Sequence, residues 1–358
     1  LVLPIAVDPV KFSRLNSSSS SLTTKQLFGV AVSVSIRTIV IAGTILIASP
    51  PTHAWFAGGH HLIAALAYEL LPASDQQQVI ALLRNHPRFE EDFRSPTPLR
   101  SAAQRNLWLI GRAGYWPDVA REHPAFNRPT WHYHLGATRV LGTVTLPRDL
   151  GPLPQNATLK TDRLHVAQAI ELARRTLRSS TAAGSDKAIA ICWLAHLVGD
   201  AHQPCHAGSL YAAKLFPKGD RGANLIPVGD DSNLHAYWDS QLGGRYNALS
   251  ISGFAGRVRN TREWQLASKA VTRQDALSPS TWLRESRELG QRYVYTQQVI
   301  DAVEAARRSG VKTVESLRLT ADYQQDAERI SLGRAAIAAH RLAAILKSDL
   351  VPGISVRQ

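Results

Sequence analysis

Apolar residues recur at helical spacing through most of this chain. HHLIAALAYELL (60–71) is amphipathic and Pro72 stops it; SDQQQVIALLRNH (74–86) follows, with Ser74 as a candidate N-cap. LKTDRLHVAQAIELARRTL (159–177) and DKAIAICWLAHLVGD (186–200) carry the same period, and two long patterns close the chain at 281–308 and 320–348. Pro, Gly and Asn mark loops at 87–100, 122–130, 145–158 and 216–233. Strand signals are few, and VLGTVTL (140–146) is the best of them. No loop has a linker's composition and no internal repeat is visible. The pattern predicts an all-α fold, a single mainly helical domain.

The first 54 residues depart from that pattern and are expected to lie outside the fold. NSSSSSLTT (16–24) is of low complexity, Lys25 and Arg37 are basic, and TIVIAGTILIA (38–48) is a short apolar core. SPPTHA (49–54) ends in small residues at a plausible cleavage position, so residues 1–54 read as a leader removed after Ala54, with 55–358 as the mature domain. The apolar run is short for a membrane span, and an uncleaved N-terminal anchor is the alternative. Export predicts a periplasmic or secreted protein without stable membrane association once cut. The chain holds no methionine, even at position 1, which raises the expectation of a truncated or unusually started reading frame.

Of 358 residues, 44% are hydrophobic, enough for a large core. Two cysteines, Cys192 and Cys205, exclude zinc fingers and disulfide-dense scaffolds; a bridge between them requires the chain to fold back, and two buried thiols are the simpler state. The formal net charge of +13 drops to about +10 without residues 1–54, which hold four bases and one acid. That balance permits polyanionic partners such as nucleic acid or anionic lipid without requiring them.

Candidate chemistry concentrates in HLVGDAHQPCH (196–206). His196 and Asp200 stand four apart on one helix face, Pro204 breaks the helix, and His206 returns a third ligand-type side chain. His235 and Asp239 in SNLHAYWDS repeat the spacing. Imidazole and carboxylate are the donors zinc takes in catalytic sites, so two such pairs point to a multinuclear metal site. Further candidates are Trp55 and His60 in WFAGGHH, where a free α-amino group can chelate. Asp118 and Arg121 lie in GYWPDVAR, and His132 and His134 in TWHYHLG, where alternation on an extended strand aims both histidines the same way.

Taken in order, W-x4-H, WPDxxR, WHY, HLVGDxHQPxH, GDRGAN and NLHAxWD resemble the S1/P1 nuclease family over essentially the whole mature chain. The resemblance implies an all-α fold and three zinc ions. By that mapping Asp118, His132 and His196 hold the first, with Asp200 bridging it to another. His206, His235 and Asp239 hold the second, and the Trp55 amine and carbonyl with His60 and Asp200 hold the third. His134, His61, His123 and His202 fall at non-ligand positions. The implied activity is hydrolysis of single-stranded DNA and RNA to 5′-nucleotides by a zinc-bridging hydroxide, with 3′-nucleotidase activity left open. Asp118 would orient the nucleophile, Arg121 offset phosphoryl charge, and Tyr133 stack on a base. Leu135 departs from the base-reading Asp of fungal members, and the Cys pattern differs from theirs. No protein partner is implied. Two alternatives stay open. One is a zinc phospholipase C, which usually has Glu where Asp239 stands and lacks the WPDxxR context. The other is a non-enzymatic envelope zinc-binding protein.

Overall fold

The computed structural model describes residues 55–350, apart from 96–97, 149–150 and 273–274. The leader and the cut after Ala54 lie outside the described residues. In chain order the helices are α1 (Ala57–Glu69), α2 (Ala73–Leu83), α3 (Phe89–Asp92), α4 (Ala102–Val119), α5 (Val166–Arg178), α6 (Gly184–His202) and α7 (Pro204–Ala207). They continue as α8 (Leu234–Asp239), α9 (Ala248–Arg259), α10 (Arg262–Ala270), α11 (Pro279–Leu289), α12 (Gln297–Ser309) and α13 (Ala321–Asp349). Strands β1 (Gly136–Leu141) and β2 (Gly208–Ala212) pair in parallel; β3 (Pro227–Val228) and β4 (Ser232–Asn233) form a minimal antiparallel pair. The fold is mainly helical, as the periodicity predicts.

Helix α6 is the axis of the molecule. Every residue from Lys187 to His202 is buried, because α1, α2, α4, α5, α11 and α13 all pack on it. Glycines let these helices approach closely. A Cβ at Gly114 of α4 would lie 2.9 Å from the His60 carbonyl oxygen of α1, and one at Gly199 of α6 would lie 3.1 Å from His60 Nδ1. Two apolar clusters result. The larger holds Trp55, Trp116, Trp131, Trp193 and Trp282, and the smaller holds Trp238, Val299, Tyr295 and Tyr323. Removing any one of these tryptophan side chains would cost about 3–5 kcal/mol.

Several boundaries differ from the sequence expectation, each for a tertiary reason. The 159–177 pattern becomes helical only at Val166, because the carbonyls of Leu159, Thr161, Asp162 and Leu164 accept from Arg128, Trp131 and Thr130 instead of from the next turn. The 281–308 pattern is two helices. A π turn at Gly290–Val294 and the non-helical Tyr295 separate them, and the Tyr295 hydroxyl donates to buried Asp220 at 3.0 Å. Ser74 is not the cap of α2, which starts one residue earlier behind Pro72. The strand expected at 140–146 runs instead over 136–141, where β2, fully buried and unforeseen, supplies its partner. Helices α4, α9 and α10 have no counterpart in the sequence pattern, and α3 falls inside the loop expected at 87–100. Cys192 and Cys205 are free and buried.

A charged network ties α13 to the end of α6. Glu285 accepts from Arg334 at 2.9 Å and from Arg341 at 2.7 Å. Arg341 also donates to His202 Nε2 at 2.8 Å, and Arg334 to the His202 carbonyl at 3.2 Å. Burial alone would raise the Glu285 pKa, but the two guanidiniums outweigh it and hold the carboxyl at about 2 instead of 4.5. Its folded pKa is therefore depressed, so its stabilisation is complete above pH 4.5 and disappears as pH falls through about 2. Glu285→Gln is expected to lower unfolding free energy at pH 7 by on the order of 2 kcal/mol after solvent screening. Urea denaturation checks it, and an unchanged midpoint would contradict the network's role.

Candidate metal centre

Three groups of ligand-type side chains are buried in the helical core. They are His60, His196 and Asp200; Asp118, His132 and His196; and His206, His235 and Asp239, every one buried. Helix α1 supplies His60, α4 Asp118, α6 His196 and Asp200, α7 His206, and α8 His235 and Asp239. His132 comes from the loop between α4 and β1. The i,i+4 spacing does what the sequence suggests within each helix: His196 Nε2 lies 3.2 Å from Asp200 Oδ2, and His235 Nε2 lies 3.2 Å from Asp239 Oδ2. Pro204 opens α7 after Gln203 leaves helical geometry, and this turn carries His206 back toward the end of α6.

Asp200 is the hub. Its Oδ2 lies 3.1 Å from His132 Nδ1, while its Oδ1 faces His60 Nε2 at 3.4 Å, so its two oxygens serve different groups. The His60 ring stacks on His196 with centroids 3.9 Å apart, and neither His60 nitrogen makes a hydrogen bond. Trp55 reaches this corner by donating from Nε1 to the Gly199 carbonyl at 3.1 Å. Burial would raise the Asp200 pKa, but His196 and the bonds from His132 and His196 drive it well below the carboxylate range. Burial, assisted by the Arg121 charge, pushes His132 down to about 4, so its ring is neutral at pH 7.

Backbone carbonyls fix the imidazole tautomers. His196 Nδ1 donates to Gly114 O at 2.8 Å, His206 Nδ1 to His132 O at 2.6 Å, and His235 Nδ1 to Gly222 O at 2.6 Å. A carbonyl only accepts, so each Nδ1 carries a proton and each ring turns its Nε2 inward. His206 Nε2 and His235 Nε2 face each other at 3.0 Å; burial would lower the His235 pKa, but Asp239, 3.2 Å from its Nε2, raises it. Converging Nε2 atoms beside a carboxylate are a donor set for a cation, and a carbonyl-bound Nδ1 is the usual outer partner of a metal-ligating histidine. The nitrogen and carboxylate donors, without thiolate, suit zinc. The residues fit the metal.

Gln203 and the GDRGAN turn lie in motifs that carry the family resemblance, but the sequence assigns no role to their residues. Gln203 Nε2 donates to Asp239 Oδ1 at 2.5 Å and its Oε1 accepts from the Cys205 amide, leaving Asp239 Oδ2 toward His235. Its place inside HQP, between two ligand-type residues, was the available signal. In the turn, Arg221, Gly222 and Ala223 are consecutive left-handed residues with φ of +62°, +65° and +67°. A Cβ at Gly222 would strike the Cys205 carbonyl oxygen, so glycine is required where His235 is held. Buried Asp220, with its carboxyl raised by burial to about 6, accepts from the Leu210 amide and Tyr295.

The structure also separates residues that the sequence grouped. His132 and His134 do not face the same way, because the strand begins only at Gly136. His134 N donates to His206 O, and the His134 ring turns away to stack on His165 at 4.4 Å. His61 packs on Trp108 and Tyr246, His123 approaches Asp92, and His202 serves the Glu285 network; none joins the three groups. Arg121 Nε donates to Asp118 Oδ1 at 2.8 Å, with the Arg121 side chain 18% exposed at the edge of the centre. Tyr133 is 37% exposed and lines a cavity of about 580 Å³.

A model of the S1/P1 Nuclease family matches residues 55–350. The chain belongs to the S1/P1 nuclease family. An S1/P1 nuclease is a zinc-dependent nuclease, a hydrolase acting on phosphoric ester bonds in nucleic acid. The buried His and Asp groups are where this S1/P1 nuclease could hold its metal. No curated protein matches the chain.

Zinc added to the metal-free S1/P1 nuclease is expected to raise Tm by roughly 10 °C, given saturation far above Kd. His235→Ala should bind less zinc and show a smaller rise, read by elemental analysis and calorimetry. An unchanged zinc content in that variant would remove the His206–His235 pair from the metal centre.

Proposed function

We propose that this S1/P1 nuclease cleaves single-stranded DNA and RNA to 5′-nucleotides at a cluster of three zinc ions. Asp118, His132, His196 and Asp200 would hold one ion, His206, His235 and Asp239 a second, and Trp55, His60 and Asp200 a third. The observation that carries the reading is the set of inward-facing Nε2 atoms beside the Asp118–Arg121 pair. Zinc bound there supplies Lewis acidity and makes a water acidic enough to ionise near neutral pH.

The protein's own groups account for the rest. Asp118 accepts the proton side of the attacking water and fixes its direction. Arg121, already aligned by Asp118 and partly exposed, offers its free guanidinium nitrogens to the phosphoryl oxygens as charge grows on them. Tyr133, one residue after His132, presents a ring for base stacking, worth about 1–3 kcal/mol for any base. Leu135 beside it offers no carboxylate to read a base edge. The proposed setting is the periplasm or the outside of the cell, after removal of residues 1–54.

His196→Ala or Asp200→Asn should abolish release of 5′-nucleotides from denatured DNA and reduce bound zinc. Normal turnover in either would sink the site assignment. Arg121→Ala should keep its zinc and lose about 100-fold in kcat; a pure KM effect would place Arg121 in binding alone. A protein retaining residues before Trp55 lacks the free amine and should bind one zinc fewer with impaired turnover. Full activity and metal content in that extended form would refute the third-ion assignment.

A further inference from the structure

One group of ligand-type side chains stands on short elements instead of on the long helices of the core. His206 is carried by α7, four residues long, and His235 and Asp239 by α8, six residues long. The contrast with His196 is direct. His196 Nδ1 donates to the Gly114 carbonyl inside α4, whereas His235 Nδ1 donates to the Gly222 carbonyl in a turn of three left-handed residues. A helix holds its own carbonyls in line. A turn of this kind keeps its shape only where its surroundings impose it.

Those surroundings lead to the π turn at Gly290–Val294. Tyr295, next along the chain, donates its hydroxyl to Asp220 Oδ1 at 3.0 Å, and the same oxygen accepts from the Leu210 amide at 3.0 Å. Ser209 Oγ accepts from the Gly222 amide at 2.8 Å. On the other flank Trp238, between His235 and Asp239, donates from Nε1 to the Tyr323 hydroxyl at 2.8 Å. That hydroxyl donates in turn to the Val294 carbonyl at 3.1 Å. Helix α7, with His206, packs on the π turn as well. Asp220, Trp238, Tyr295 and Tyr323 are all buried, so solvent does not compete for these bonds. One irregular turn therefore reaches all three members of the group from outside, and π turns inside helices gather at functional sites.

We propose that Tyr295 and Tyr323 are positioning residues for the ion held by His206, His235 and Asp239. Tyr295 steadies the turn that presents the Gly222 carbonyl to His235, and Tyr323 steadies the helix that carries His235 and Asp239. The inference rests on the assignment of this group to a metal ion and deepens it. Neither hydroxyl touches the group's donor atoms or the substrate. Both act on how well three donors are prearranged, so they govern how tightly one ion is held and leave the others alone.

The test uses the mature protein, with bound zinc read by elemental analysis across a chelator series that sets free zinc. Tyr295→Phe with Tyr323→Phe removes two oxygen atoms and keeps both rings. One ion of the set should then leave at about 10-fold higher free zinc than in the wild type, the scale of losing an outer partner of a metal ligand, while the other release steps stay in place. Each single variant should shift the same step by less, and the singles carry the test where the double variant fails to fold. Asp220→Asn keeps an oxygen to accept from Tyr295 and should stay near the wild type; a loss there as large as in the double variant would make charge the cause and overturn the role of Tyr295. Tyr68→Phe, which removes a hydroxyl from the larger apolar cluster, should leave every step in place. A merely structural role would lower the Tm of the zinc-free and loaded double variant alike with no step moved, and that result would overturn the proposal, as would an equal shift of all steps. His235→Ala separates the two levels. Loss of an ion there beside an unshifted double variant overturns the positioning alone, and wild-type zinc release in His235→Ala overturns the metal assignment beneath it.

Discussion

Buried nitrogen and carboxylate donors that face one another are the constraint on which this structure depends. His196, His206 and His235 each commit Nδ1–H to a backbone carbonyl, which turns Nε2 inward, and His60, His132 and Asp200 add buried atoms without a hydrogen bond. An unsatisfied buried polar group costs about 1–3 kcal/mol, and several are gathered at one point. A cation among them would satisfy several at once and so favour the folded chain. The glycine-thinned contacts of α1, α4 and α6 set the distances at which the donors meet.

The architecture divides the labour between a rigid centre and an open approach. All the donors but His132 sit on helices that pack into tryptophan-rich clusters, so their geometry is set before any substrate arrives. Tyr133 stands between the two regimes. It follows directly on His132, which points inward, yet its own ring is among the more exposed aromatics in the protein. The ring proposed to stack a base is thus one peptide unit from a candidate metal ligand.

Much of this was legible in the sequence, and what was not had physical reasons. The i,i+4 pairs His196/Asp200 and His235/Asp239 could be read because a helix guarantees that they share a face. The convergence of those helices could not be read from spacing and entered through motif resemblance. Residues 159–165 resembled a helix and became a loop because side chains from 128–131 captured their carbonyls. His132 and His134 could not be told apart by alternation, since neither lies in the strand that alternation presumes. Gly114 and Gly222 orient ligand-type histidines through carbonyl oxygens, and a backbone acceptor leaves no letter in the sequence. The two ends of residues 281–308 were foreseen as one helix; Asp220, some 75 positions earlier, is what draws Tyr295 out of it.

The left-handed turn at Arg221–Ala223 has one more consequence. Two of its three residues carry a Cβ, and each such residue is disfavoured by roughly 1–2 kcal/mol in this conformation. The turn is kept in place by His235 on the Gly222 carbonyl and by Asp220 below it. The strain fixes an aim: the Gly222 carbonyl meets His235 Nδ1 only while the chain holds this turn, so backbone twist thirteen residues away sets the tautomer of a ligand-type ring.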